Sequence, residues 1–417
     1  MRLVYSLVAS VLLSLVLLLV SLFKRDYLPG MKQRFGFNLP KANKRLVWVH
    51  AASVGEVVAA KPLIESLLHK GELDILVTTF TPSGRDQVRK EFADRVTHAF
   101  QPWDFATVVR RFAQVYEPRL LILMETEFWP NLVQTCQQSQ IPVAIVNGRI
   151  SDRAYPKYKK FSWLFRPVLS SLAVAAVQTH KDRSRYLELG VPLEKIHITG
   201  NTKFDVSSEQ KQDDGSLKQG MFGSRPVWLA ASTHQGEEEI CLNAHLAVLE
   251  KYPESVLVLL PRHVDRVREI SQLIELKGLY YITKSYINGD LNNISVILGD
   301  SMGEMSFYLS LADTVLMGGS LVEIGGHNPL EAIQQAKPVM TGPHTNNFEA
   351  IYRELALSKA CIQLKSGDDL AEVVMEMLEN KDKGRSLTIN AAKVLEDGRG
   401  AVPLTIKYLQ PFLGITS

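Results

Sequence analysis

The chain has 417 residues, 46% of them hydrophobic and 22% charged, with a formal net charge of +3 at pH 7. That length supports two domains with substantial cores, the composition excludes a disordered chain, and so small a net charge gives no reason to expect a nucleic-acid partner. Three cysteines, Cys136, Cys241 and Cys361, lie far apart with no CxxC pair, which argues against a disulfide framework or a zinc site and fits a reducing compartment.

The first element in chain order is apolar. Residues 3–23 carry no charge and are dominated by Leu and Val. At the helical rise per residue such a run spans roughly 30 Å, the thickness of a hydrocarbon core. It continues directly into Phe23-Lys24-Arg25 with no small-residue cleavage site, so it is read as an uncleaved anchor rather than a signal peptide. Residues 24–43 form a basic juxtamembrane segment with Lys24, Arg25, Lys32 and Arg34. The positive-inside rule then keeps the body of the protein in the cytoplasm. Tyr27, Phe35 and Phe37 lie among these charges and suit a headgroup surface.

From residue 44 onward, β-branched runs alternate with helical patterns. Strands are expected at 46–50, 75–80, 120–124, 143–146, 173–178 and 196–199, with amphipathic helices at 57–69, 84–92 and 105–116 among them. Continuous apolar strands between helices predict a parallel sheet covered on both faces. The polar stretch SSEQKQDDGSLKQG (207–220) reads as part of a linker over 207–224. A second alternating series follows, with strands at 227–230, 255–260, 280–283, 296–298, 314–317 and 338–341. The expected organisation is therefore one Rossmann-like domain over 44–206 and another over 225–417, facing a cleft with sites at the carboxyl ends of both sheets.

Polar residues cluster at those strand ends. Glu56 follows the first strand near a helix start, where a carboxylate can act as a general base or complement the helix dipole, with Ser53 at capping-box spacing. Glu125 and Glu127 follow the third strand, with Phe128 and Trp129 read as packing. Lys203, in GNTKFD, can neutralise phosphate charge or sit on the surface beside Asp205. In the second series, Pro261-Arg262-His263 offers a guanidinium fork, and Met302-Gly303-Glu304 lies in a loop suited to a base or ribose. GGSLVEIGGHNPLEA (318–332) leads from a buried strand through glycines into a helix. There Pro329 suits the first helical position, Asn328 can cap, and Glu331 can complete a capping box, leaving unpaired N–H groups for a phosphate. No GxSxG elbow, Walker A loop or HExxH pair is present, so hydrolase, P-loop ATPase and zincin readings lack support.

Taken together, these segments resemble one family, the membrane-anchored 3-deoxy-D-manno-octulosonic acid (Kdo) transferases of Gram-negative bacteria. The resemblance rests on HAASVGE (50–56), METEFWPN (124–131), NGRIS (147–151), GNTKFD (200–205), STHQGEE (232–238), PRH (261–263), GDSMGE (299–304), GGHNPLEA (325–332) and GPHTNNF (342–348), in the family's order. It implies a GT-B fold, CMP-Kdo as donor, a lipid A precursor (lipid IVA) as acceptor at the inner membrane, and inverting transfer with neither metal nor other cofactor. It also implies Glu56 as general base and Glu125 and Lys203 as transition-state stabilisers. Pro261, Arg262, Met302, Gly303, Glu304, Asn328, Pro329, Leu330 and Glu331 match its CMP-contacting segments. Ala51-Ala52 and Gly148 depart from the residues common in the family without touching these groups. A GT-B transferase with a UDP-sugar donor, or a non-catalytic nucleotide-binding scaffold, is the alternative reading. Oligomeric state and the number of Kdo units transferred are not written in the sequence.

Overall fold

The computed structural model describes residues 30–43, 45–69, 73–205, 215–287 and 291–414. The expected anchor at 3–23 and the start of the juxtamembrane segment lie outside them. Among the described residues no helix is long and apolar enough to cross a membrane. The chain forms two units, Met1–Val206 with Gly398–Ser417, and Ser207–Asp397.

In the first unit seven strands form one parallel sheet: β1 (Val47–His50), β2 (Ile75–Thr79), β3 (Thr97–Phe100), β4 (Leu120–Met124), β5 (Val143–Gly148), β6 (Val174–Val177) and β7 (Ile196–Ile198). Their order is β3-β2-β1-β4-β5-β6-β7. Both faces are covered, as continuous apolar strands require. Leu121 and Leu123 pack into one layer with Trp48 and Phe112, while Leu120, Ile122 and Met124 pack into the other with Val47 and Val49. The order reverses between β1 and β4, so a crevice is expected outside the carboxyl ends of that pair. The helix α1 (Val54–His69) leaves β1 there, and α2 (Pro130–Gln138) follows the turn after β4.

The second unit repeats the plan with β8 (Val227–Thr233), β9 (Val256–Pro261), β10 (Tyr281–Thr283), β11 (Val296–Leu298), β12 (Thr314–Met317), β13 (Val339–Thr341) and β14 (Ile362–Gln363). The order is β10-β11-β9-β8-β12-β13-β14, again all parallel, with the reversal between β8 and β12. The helix α3 (Glu237–Lys251) follows β8, and the short α4 (Leu330–Gln334) follows the glycine loop after β12.

Two expected boundaries need correction. The terminal helix α5 (Ala401–Leu413) does not belong to the second domain, expected over 225–417. Val402, Ile406, Leu409 and Leu413 are buried with Val57, Ala60 and Val146 in the core of the first unit. Asp205 fixes its start by accepting from the N–H groups of Gly400 and Val402. The linker expected over 207–224 also ends early, because Ser216–Phe222 is a helix with Phe222 buried and Lys218 paired to Asp313 at 2.5 Å. The polar residues of that helix form its exposed face.

Candidate active site

In the first unit the switch point between β1 and β4 gathers three carboxylates and a histidine. Glu56 lies in the first turn of α1, and its Oε2 accepts the N–H of Ala52 at 2.7 Å. Ser53 Oγ donates to Glu56 Oε1 at 3.3 Å. The capping-box spacing is therefore used in reverse, with the serine serving the carboxylate. Burial, then the charges of Glu127 and Glu125, push the Glu56 carboxyl up to about 8. A group with that value retains its proton in mild acid and releases it just above neutrality, as a general base for a hydroxyl requires.

Glu127 moves the other way. Burial alone would raise it, but hydrogen bonds and charge from His50, with the indole of Trp129, hold it below the usual carboxylate range. His50, the fully buried last residue of β1, has Nε2 3.4 Å from Glu127 Oε2. Its Nδ1 lies 3.1 Å from both the carbonyl and the hydroxyl of Thr78 on β2. Trp129 Nε1 donates to Glu127 Oε2 at 2.7 Å, so this residue does more than pack. Phe128 does pack, edge-on to Tyr158 and Tyr186.

Glu125 sits in the left-handed region, φ 54°, a conformation that non-glycine residues adopt only when their surroundings impose it. Its N–H donates to Val146 O at 2.9 Å, and Tyr186 Oη donates to its carbonyl at 3.1 Å. Its side chain pairs with Lys203 at 3.4 Å. Lys203 comes from the turn Thr202–Phe204 after β7, and its side chain is only 11% exposed, so it is not a surface lysine. Glu56, Glu125 and Lys203, singled out from strand ends, thus share one carboxyl end of one sheet.

In the second unit the loops after β11, β9, β8 and β12 leave the same end of the sheet in adjacent positions. Strand β8 bulges at Ser232, φ 57°, as its register on β9 shifts. The loop after β12 closes onto that bulge. A Cβ on Gly318 would lie 2.6 Å from Ser232 O, so only glycine allows this approach. The loop is held by Glu237, which is fully buried at the start of α3 and was not singled out in the sequence. Its two oxygens accept the N–H groups of Gly319 (2.6 Å), Ser320 (2.9 Å), Leu321 (2.8 Å) and His234 (2.9 Å).

Three histidines meet beside this loop. His234 and His327 stack with their Nε2 atoms 2.9 Å apart, and the His263 ring stands edge-on to His234. One of the facing Nε2 atoms must be the donor and the other the acceptor. Burial, then Arg262 and the neighbouring rings, push His327 down to about 4, so both rings stay neutral near pH 7. Arg262, at the end of β9, makes no ion pair among the described residues, and its charge acts on both rings. Met302 is 52% exposed, and Gly303 is left-handed with open space around it. Glu304 accepts from Lys284 and from Ser301, and these hydrogen bonds hold its carboxyl below the usual range.

Asn328 to Glu331 depart from expectation in detail. The helix starts at Leu330, Pro329 precedes it, and Asn328 Oδ1 accepts from Leu330 N at 3.2 Å. This is a local asparagine turn in place of a capping box, and α4 has only 5 residues. The macrodipole of so short a helix is small, so Arg262 is the stronger charge available to an anion here.

Comparison with known proteins agrees with this architecture. Residues 29–206 match the family described as 3-deoxy-D-manno-octulosonic-acid transferase (kdotransferase), and residues 228–394 match glycosyl transferases group 1. The 3-deoxy-D-manno-octulosonic acid transferase of Haemophilus influenzae is 38% identical over 401 residues, 95% of this chain and 94% of that one. The protein of the same name from Bordetella pertussis is 32% identical, covering 93% of this chain and 92% of that one. In fold alone, the chain is similar to a UDP-GlcNAc 2-epimerase from Neisseria meningitidis, with a TM-score of 0.58 at 16% identity, over 88% of this chain and 99% of that one. Two parallel-sheet units of GT-B type, matching such relatives over nearly their whole length, place this chain in the Kdo transferase family of glycosyltransferases.

Proposed function

We propose that the chain transfers Kdo from CMP-Kdo to a glucosamine hydroxyl of a lipid A precursor such as lipid IVA, with inversion and without a metal cofactor. Glu56 is the general base, and its pKa of about 8 at the switch point of the first sheet carries this reading. The paired Glu125 and Lys203 stabilise charge in the transition state. On the second unit Arg262 takes the phosphate of CMP, beside Pro261. Met302, Gly303 and Glu304, with Asn328, Pro329, Leu330 and Glu331, hold the nucleotide. A CMP-sugar has one phosphate, so one guanidinium with backbone N–H groups is an adequate counter-charge for the leaving group. The run at 3–23 anchors the enzyme in the bacterial inner membrane with its body in the cytoplasm, where a lipid acceptor is at hand.

Glu56→Gln tests the assignment. It keeps the shape and removes the base, so transfer falls by at least about 100-fold while CMP affinity is unchanged. Retained turnover removes Glu56 from the role. UDP protecting the protein against heat better than CMP would overturn the donor.

A further inference from the structure

A cavity of 370 Å³ opens on the first unit away from the carboxylates, between the edge strand β3 and the helix Pro82–Phe92. Gln33, Arg85, Arg89, Asp94, His98 and Phe100 line it. Arg85 and Arg89 are four residues apart on that helix and therefore share a face. His98 enters from β3, with Nε2 3.0 Å from Thr79 Oγ1 and its ring edge-on to Phe100. A third guanidinium stands behind them. Arg34 is buried over the rings of Phe100 (4.6 Å) and Phe80 (5.0 Å) and donates to Phe80 O.

Little negative charge faces Arg85 and Arg89. Arg85 bonds only its exposed neighbour Asp86, at 2.9 Å, and Arg89 makes no ion pair among the described residues. Asp94 is exposed. The imidazole feels these charges: burial, then Arg89, Arg85 and Arg34, push His98 down to about 4, with Asp86 opposing. Two guanidinium groups on one helix face, lining a cavity beside an imidazole, favour an oxyanion. Two forks and a ring nitrogen suit the several oxygens of a phosphate better than the two of a carboxylate.

We infer that this cavity is a phosphate-ester site, held by Arg85, Arg89 and the His98 ring. The ester comes either from a phospholipid headgroup or from a soluble phosphate. The lipid source rests on the anchor reading, and the site itself does not. Gly30, beside the cavity, is seven residues beyond the 3–23 run, at most roughly 25 Å of extended chain, so a headgroup is within reach.

The test uses the full chain in neutral detergent. Inorganic phosphate, dihexanoyl phosphatidic acid and dihexanoyl phosphatidylcholine are titrated in turn by calorimetry. The His98 ring resonance, assigned by its loss in His98→Gln, is followed by NMR. Phosphate and phosphatidic acid are expected to bind saturably and to move that resonance. In the double variant Arg85→Gln/Arg89→Gln both affinities fall at least about tenfold, while the melting temperature and CMP affinity stay as in the parent. Phosphatidic acid binding more tightly than phosphate assigns the lipid source, and equal affinity assigns the soluble one. A His98 resonance that neither anion moves, or affinities unaltered in the double variant, overturns the proposal.

Discussion

The Glu56 carboxyl takes its titration, and with it its fitness for the proposed role of base, from its surroundings. It is raised first by burial and then by Glu127 and Glu125, so it ionises at about 8. Transfer that needs its unprotonated form therefore rises with pH, and kcat/KM climbs about tenfold per unit until the limb flattens near 8. Glu127→Gln removes one of the two opposing charges, and the limb is expected to move down by about one unit. A limb that stays in place would show that another group sets it. Stability moves the opposite way with pH. Folded Glu56 holds its proton above the ordinary carboxylate value of 4.5, so its contribution is greatest below 4.5 and is lost as pH rises to about 8. The single residues of this site were legible in part. Glu125 and Arg262 directly follow apolar strands, Glu56 and Lys203 lie within six residues of one, and that placement is written locally. His50 was not legible, because it ends a buried strand and its partner Glu127 arrives from β4 through folding alone. Glu237 and the His234–His327 pair escaped for the same reason.

The turns that carry these residues are tied to one another by uncharged groups. Asn147, buried and left-handed at the end of β5 (φ 57°), accepts the N–H of Thr202 at 3.1 Å through Oδ1. Thr202 Oγ1 in turn donates to Ala59 O of α1 at 2.7 Å. The turn bearing Lys203 is thereby fixed both to the strand beside Glu125 and to the helix bearing Glu56. Thr202→Val keeps the shape and cuts one link, so kcat is expected to fall about tenfold with donor KM unchanged, as measured by steady-state transfer assays. In the second unit, Glu237→Ala leaves four loop N–H groups without their acceptor. The expected loss is about 3 kcal/mol in denaturant unfolding together with weakened CMP binding, since the same loop holds the nucleotide in the proposed reading. Elements were legible where their pattern was apolar, and all twelve expected strands are present. The missed strands are both at sheet edges. Thr97–Phe100 is half polar, and Ile362–Gln363 has two residues, so neither offers a buried run to read.

At the scale of the whole chain, the fold is two doubly wound sheets, with the last helix returned to the first of them. The sequence revealed both alternating series, because each strand's burial is a local property. It did not reveal the return, because an amphipathic helix at the chain end fits either sheet equally well by pattern. What decides it is contact: Leu409 and Leu413 are fully buried among α1 and strand side chains, Tyr408 stacks on His197, and Arg119 donates to Leu413 O. The consequence is that damage to this helix weakens the unit bearing Glu56, not the adjacent unit in sequence. Leu409→Ala removes a fully buried side chain and should cost about 3 kcal/mol. Hydrogen exchange locates the loss. Amides of β1, β4 and β6 should exchange faster, while those of β8, β9 and β12 keep their protection and CMP affinity is retained. Loss of protection in the second sheet instead would place α5 with residues 225–397, as the alternation alone suggested.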